Sequence, residues 1–237
     1  MSQWKLNWIS KERLVEICEK LIKQAKPSEQ GLNYKNVVDP FSALFDIAIN
    51  DMTYETWEKA EIRRQHQKTL QNAIGKFHQM VLGSVKGWVD LGVGQVVDLR
   101  NDDLKVFAEI KNKFNTVKAS DKKGVYDALA KYRSDPDGKR KDYTGYFVQI
   151  LVNTSPFNRP FAPTDNTLSG IHKGESKFIR EIDGRSFYAL ATGSPTALDD
   201  LYSVLPEVLQ DAMNGKFKAN QAQSHPLYKD LIERTKF

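Results

Sequence analysis

The chain has 237 residues, of which 27% are charged and 40% hydrophobic, a globular composition with enough apolar mass for a sizeable core and no signature of disorder. A net charge of +5 and a pI near 9.1 favour a polyanionic partner. Cys18 is the only cysteine, which excludes an intrachain disulfide framework and any multi-thiolate zinc site. The N-terminal Met-Ser-Gln-Trp-Lys-Leu-Asn-Trp lacks the apolar core of a secretion signal, and no apolar run is long enough to span a bilayer, so a cytoplasmic protein is expected.

Ser10 reads as the N-cap of a first helix ending about Ala25, with Leu14, Ile17, Leu21 and Ile22 on one face and Pro27 just beyond. Asp39-Pro40 opens a second, apolar helix over about 41–49. Thr53 reads as the cap of a long charged helix with Glu55 in its first turn. Leu70, Ala73, Ile74, Phe77 and Val81 follow at helical spacing, and the helix should end near Gly83. Short strands are expected over about 87–91, 95–100 and 104–111. Asp121 should cap a helix running to about Tyr132, and 146–152 reads as a buried strand. Segments 179–182 and 186–191 flank Asp183-Gly184, a hairpin signal. Residues 196–213 form a last amphipathic helix that Pro206 should kink or divide. No linker interrupts the chain, so residues 1–237 are expected to form one domain, with a helical part over 1–83 and a core over 84–237.

The chemistry concentrates in residues 98–116. Alternation along a strand puts Glu109 and Lys111 on one face with Phe107, and Val106, Ala108 and Ile110 on the other. A two-residue loop at Asp102-Asp103 would set Asp98 opposite Phe107 and diagonal to Glu109, near enough for both carboxylates to reach one cation. A three-residue loop would turn Asp98 to the wrong face, so an even loop or a bulge is required. Two carboxylates beside an ammonium suit magnesium-assisted phosphodiester cleavage, since Mg2+ takes oxygen ligands and retains several waters. Taken alone, Glu-x-Lys fits a solvated strand face equally well.

The longer string Ala108-Glu-Ile-Lys-Asn-Lys-Phe-Asn-Thr116 resembles the active-site segment of type II restriction endonucleases in the PD-(D/E)XK superfamily. Residues 37–45, 67–79 and 183–193 are similar to one subfamily of it, the enzymes that cut GGNCC. The resemblance implies an α/β fold, a restriction-endonuclease-like (PD-(D/E)XK) core in which a central mixed β-sheet is flanked by helices. It makes Asp98 and Glu109 the ligands of Mg2+ and Lys111 the catalytic lysine; the family's proline before the acid is Val97 here. It further implies double-stranded DNA as substrate, 5′-phosphate ends, a homodimer and a cognate DNA methyltransferase in the same system.

Residues around this centre have weaker warrants. Asn112, Lys113, Asn115 and Thr116 could grip the DNA backbone beside the cut. Arg159, His172 and Lys173 lie in basic, loop-like sequence suited to guanine contacts. Gln71, Asn72, His78 and Gln79, on the helix before the core, could support the site, although His78 beside Phe77 equally fits a packing role. Two other functions share these features: a repair or structure-selective nuclease of the same superfamily, and a non-catalytic DNA-binding module in which Glu109 and Lys111 form a surface ion pair.

Overall fold

The computed structural model describes residues 4–25, 31–33, 36–92, 94–114, 117–163 and 176–235. They fall into two compact units, Met1–Glu19 with Gly75–Phe237, and Lys20–Ile74.

The larger unit is built on a mixed six-stranded sheet. Its strands are β1 (Trp88–Asp90), β2 (Leu99–Asn101), β3 (Val106–Lys113), β4 (Thr144–Leu151), β5 (Asn158–Pro160) and β6 (Ile179–Asp183), in the order β1-β2-β3-β4-β6-β5. The β3, β4 and β6 strands are parallel neighbours, while β1, β2 and β5 pair antiparallel at the two sides. A helix, α4 (Ala119–Arg133), carries the chain from β3 to β4, as a parallel pair requires. It covers one sheet face, where Phe107, Phe147 and Ile179 form a buried cluster with Val97, Tyr126, Leu129 and Phe161. Phe147 and Phe161 stack with centroids 5.0 Å apart. The opposite face, with Ala108, Val148, Ile150 and Ile182 buried, is packed by α5 (Gly184–Thr192), itself joined to α6 (Ala197–Ala212). Helices on both faces explain why β4 reads as a continuous apolar run rather than an alternating one.

Three expected features take a different form. Asp183-Gly184 is a strand-to-helix junction and not a hairpin. Asp183 accepts the Ser186 N–H (3.1 Å) as an N-cap and the Phe157 N–H (2.7 Å) from the neighbouring strand. Its buried carboxylate thereby satisfies two donors, so Phe187, Tyr188 and Ala191 are buried from a helix. Second, Lys118 holds the cap position of α4 without a side-chain bond, and Asp121 lies inside the first turn. Third, of the two outcomes expected at Pro206, division does not occur, and α6 runs on through it. The proline removes the donor that the Tyr202 carbonyl would otherwise accept, and Tyr228 Oη donates to that carbonyl instead (3.0 Å). Tyr228 belongs to α8 (Pro226–Glu233), which follows the short α7 (Ala219–Ser224).

Close packing of α5 under the sheet depends on Gly184. A Cβ there would stand 2.4 Å from the Ile150 carbonyl oxygen and 2.7 Å from its Cα, both backbone atoms. Gly184→Ala is therefore expected to destabilise the protein by about 2–3 kcal/mol through overpacking, read as a lower thermal midpoint; an unchanged midpoint would contradict this junction.

The first helix, α1 (Lys11–Ala25), starts as expected, with Ser10 Oγ accepting the Arg13 N–H (3.1 Å). In the smaller unit, α2 (Pro40–Ile49) is capped by Asp39, whose carboxylate accepts the Phe41 N–H. The long α3 (Tyr54–Gly83) begins with Thr53 Oγ1 accepting the Thr56 N–H (3.2 Å). Within α3, buried Glu61 is held by Arg64 and Gln65.

Candidate active site

The β2–β3 register decides whether the acids meet. Asn101 pairs with Val106, Arg100 with Phe107 and Leu99 with Ala108. The connection is thus four residues long, Asp102 to Lys105, rather than two. The buried Asn101 side chain accepts the Leu104 N–H (2.8 Å), and Lys105 takes a positive φ of 53°, which together widen the turn. Parity is preserved because the loop is still even. The two-residue shift moves Asp98 away from Phe107, to one step beyond the last regular pair of Leu99 with Ala108, where it feels the Glu109 carboxylate.

Asp98 is fixed where the ladder gives way. Its N–H donates to the Ala108 carbonyl (2.9 Å), its own carbonyl accepts the Leu91 N–H (2.9 Å), and its Oδ2 accepts the Ile110 N–H (2.7 Å). A carboxylate thus takes the place of a backbone acceptor and is held half-buried against β3. Glu109 follows Phe107 on the α4-covered face, and its side chain is 19% exposed. Lys111 Nζ pairs with Glu109 Oε1 at 2.7 Å. The face is therefore not charged throughout, as alternation alone implied. Phe107 is buried under α4, and charge begins only toward the carboxyl ends of the parallel strands, where α/β sheets place their ligand sites.

Electrostatics follow from this crowding. Burial first, and then the Glu109 carboxylate, push the Asp98 acid up to about 6, against the opposing pull of the Ile110 N–H and Lys111; Asp90 adds a smaller upward push. A site that disfavours its own negative charge is one that a cation would relieve.

Other expected residues fall in several places. Gln79 donates to Asp90 Oδ1 (2.8 Å), which also accepts the Gly92 N–H (2.9 Å), so it steadies an acid whose field reaches Asp98. His78 is a packing residue: its Nδ1 bonds Tyr188 Oη (2.8 Å), Phe77 and Tyr188 flank the ring edge-on, and burial lowers its pKa to about 4. Gln71 and Asn72 are exposed on α3 in the smaller unit. Asn112 shares the Ile110 side of β3 rather than the Lys111 side, and its buried Oδ1 finds no donor among the described residues. Lys113 returns to the Lys111 side. Arg159 lies on the edge strand β5 and not in a loop, paired with Glu181 (2.6 Å) and stacked over Phe157. Asn115, Thr116, His172 and Lys173 lie outside the described residues.

Sequence reasoning missed two groups on the face of the candidate site. Glu109 pairs with Phe147 and Phe147 with Glu181, while Lys111 pairs with Gln149. Buried Gln149 and half-buried Glu181 therefore share the face of Glu109 and Lys111, joined by a long contact of 3.4 Å. Neither stands in a motif; only the parallel register could reveal them.

A half-buried acid opposite a Glu-x-Lys, at the carboxyl end of a mixed sheet, is the arrangement expected of a restriction endonuclease, and the comparisons agree. The relatives are type II restriction enzymes, site-specific deoxyribonucleases, and this chain is of that class. It belongs to the Eco47II restriction endonuclease family, whose model matches residues 6–214. It is 42% identical over 209 residues to the type II restriction enzyme Eco47II of Escherichia coli, covering 86% of this chain and 87% of that protein. The type II restriction enzyme Sau96I of Staphylococcus aureus is 29% identical over 239 residues, with 98% and 89% covered. Among the described residues no helix is long and apolar enough to cross a membrane.

Proposed function

We propose that this chain is a Mg2+-dependent endonuclease that cuts both strands of DNA at GGNCC or a close relative of that site, leaving 5′-phosphate and 3′-hydroxyl ends. The carrying observation is the meeting of Asp98 and Glu109. Two like charges brought together half-buried repel one another, a cost that a bound cation would relieve, whereas the Glu109–Lys111 pair alone would equally suit a passive DNA-binding surface. PD-(D/E)XK membership, and a cytoplasmic enzyme protecting a cell that also holds the matching methyltransferase, belong to the same reading.

The donor set fits magnesium. Among the described residues no group of three or more His, Cys, Asp or Glu comes together that could hold a metal, so Asp98 and Glu109 stand as a pair of oxygen donors. That is too sparse for a closed protein cage but suited to an ion that keeps waters and takes phosphate oxygens. When bound, the ion supplies Lewis acidity and neutralises charge on the phosphoryl group. Lys111 orients the attacking water and meets negative charge growing on the phosphorane. In-line attack then breaks the bond from phosphorus to the 3′ oxygen, which leaves as the hydroxyl. A palindromic site needs one centre per strand, hence two chains related by a two-fold axis.

Digestion of DNA of known sequence tests this. Discrete fragments ending at GGNCC, formed with Mg2+ and absent with EDTA, are expected. Cutting without sequence preference would favour a repair nuclease, and binding without cutting would leave a DNA-binding module.

A further inference from the structure

The helix α2 wears its apolar residues on the outside. Phe41, Leu44, Phe45, Ala48 and Ile49 recur at the spacing that normally turns a stripe toward a core. Here no residue of α2 is buried, and only Ala43 and Ile47, away from that stripe, are half-covered. Phe41, Leu44, Phe45 and Ile49 are 55–78% exposed, with Val37 at 95% before the helix and Tyr54 at 69% after it. These six side chains present on the order of 700 Å2, close to one partner's share of a standard protein interface and above the usual largest patch of a monomer. A ten-residue helix is also too short to be stable in water by its own hydrogen bonds.

We propose that α2 is the surface through which two copies of this chain associate, stripe against stripe about a two-fold axis. Charge excludes the other large partners of a nuclease. Residues 36–54 contain no Lys or Arg but hold Asp39, Asp46 and Asp51, so the segment repels DNA phosphates and lacks the cations of a lipid-binding helix. Area selects a protein, and an isologous contact brings the same apolar residues together from both sides without requiring a complementary patch elsewhere. The inference rests on the two-chain requirement of the function proposed above but adds the surface that meets it.

The test is the mass of the full chain without DNA at micromolar concentration, by sedimentation or light scattering. Wild type should weigh two chains, and the double variant Phe41→Asp, Phe45→Asp one chain, with association weakened roughly tenfold or more and far-ultraviolet dichroism unchanged. Amides of residues 40–49 in wild type should exchange hydrogen faster on dilution. A single-chain mass for wild type, a two-chain mass for the folded variant, or exchange independent of concentration each overturns the proposal. If the variant does not fold, the wild-type exchange decides. The readout is independent of catalysis: a dimer that does not cut sinks the nuclease reading alone, and a monomer that cuts sinks this one.

Discussion

Lys111→Ala is expected to lower the cleavage rate by on the order of 10²- to 10³-fold while leaving affinity for site DNA within a few-fold. The ammonium contributes in two ways. In the proposed mechanism it meets charge developing on the scissile phosphate, and it pairs with Glu109 at 2.7 Å. It is also one of the influences holding the Asp98 acid down against burial and Glu109. Without it, Asp98 should take up a proton at still higher pH, so the acid limb of the residual activity should move to higher pH. Cleavage rates across pH, with gel-shift affinity measured in parallel, separate this from a lost binding contact. Wild-type-like cutting by the variant would remove Lys111 from the chemistry.

Asp98→Asn should abolish cutting and yet make the protein more stable. With Asp98 raised to about 6 in the fold and near 3.9 in the unfolded chain, the folded state binds the proton more tightly. Its stability contribution is therefore fully present below about pH 4 and is lost as pH rises through about 6. At pH 8 the ionised side chain is a burden on the order of 2 kcal/mol, which a neutral amide escapes while its oxygen still accepts the Ile110 N–H. Thermal unfolding without added metal should show Asp98→Asn several degrees above wild type at pH 8 and level with it at pH 4. A lower midpoint at pH 8 would mean that the carboxylate is structural. The same titration predicts that wild-type cleavage falls away below about pH 6, and that more Mg2+ pushes this limb to lower pH by competing with the proton.

What could be read from the chain depended on how far apart the interacting residues lie. Caps at Ser10, Asp39 and Thr53 act within one turn, and those helix starts agree with the structure. That Glu109 and Lys111 share one strand face was also legible, since strand alternation is local. The pairing was not: the Asn101 side chain bonding to Leu104 lengthened the turn, and Asp98 came to lie just past the Leu99–Ala108 pair, within the field of Glu109. Asp183-Gly184 suits a hairpin and a helix cap alike, and the choice lay with the Phe157 N–H, 26 residues away. Gln149 and Glu181 reach the face of Glu109 and Lys111 only through parallel pairing, which leaves no period in the sequence.

The carbonyl that Pro206 strands in α6 gives the last helix a duty. Tyr228 acts as a splint across a break that the chain itself introduces 22 residues earlier. The family match stops at residue 214, so this splint comes from sequence beyond the matched core. The segment after that boundary is thus tied mechanically to α6, and pruning the chain to its family core would take from the Tyr202 carbonyl the donor that replaces the one Pro206 lacks.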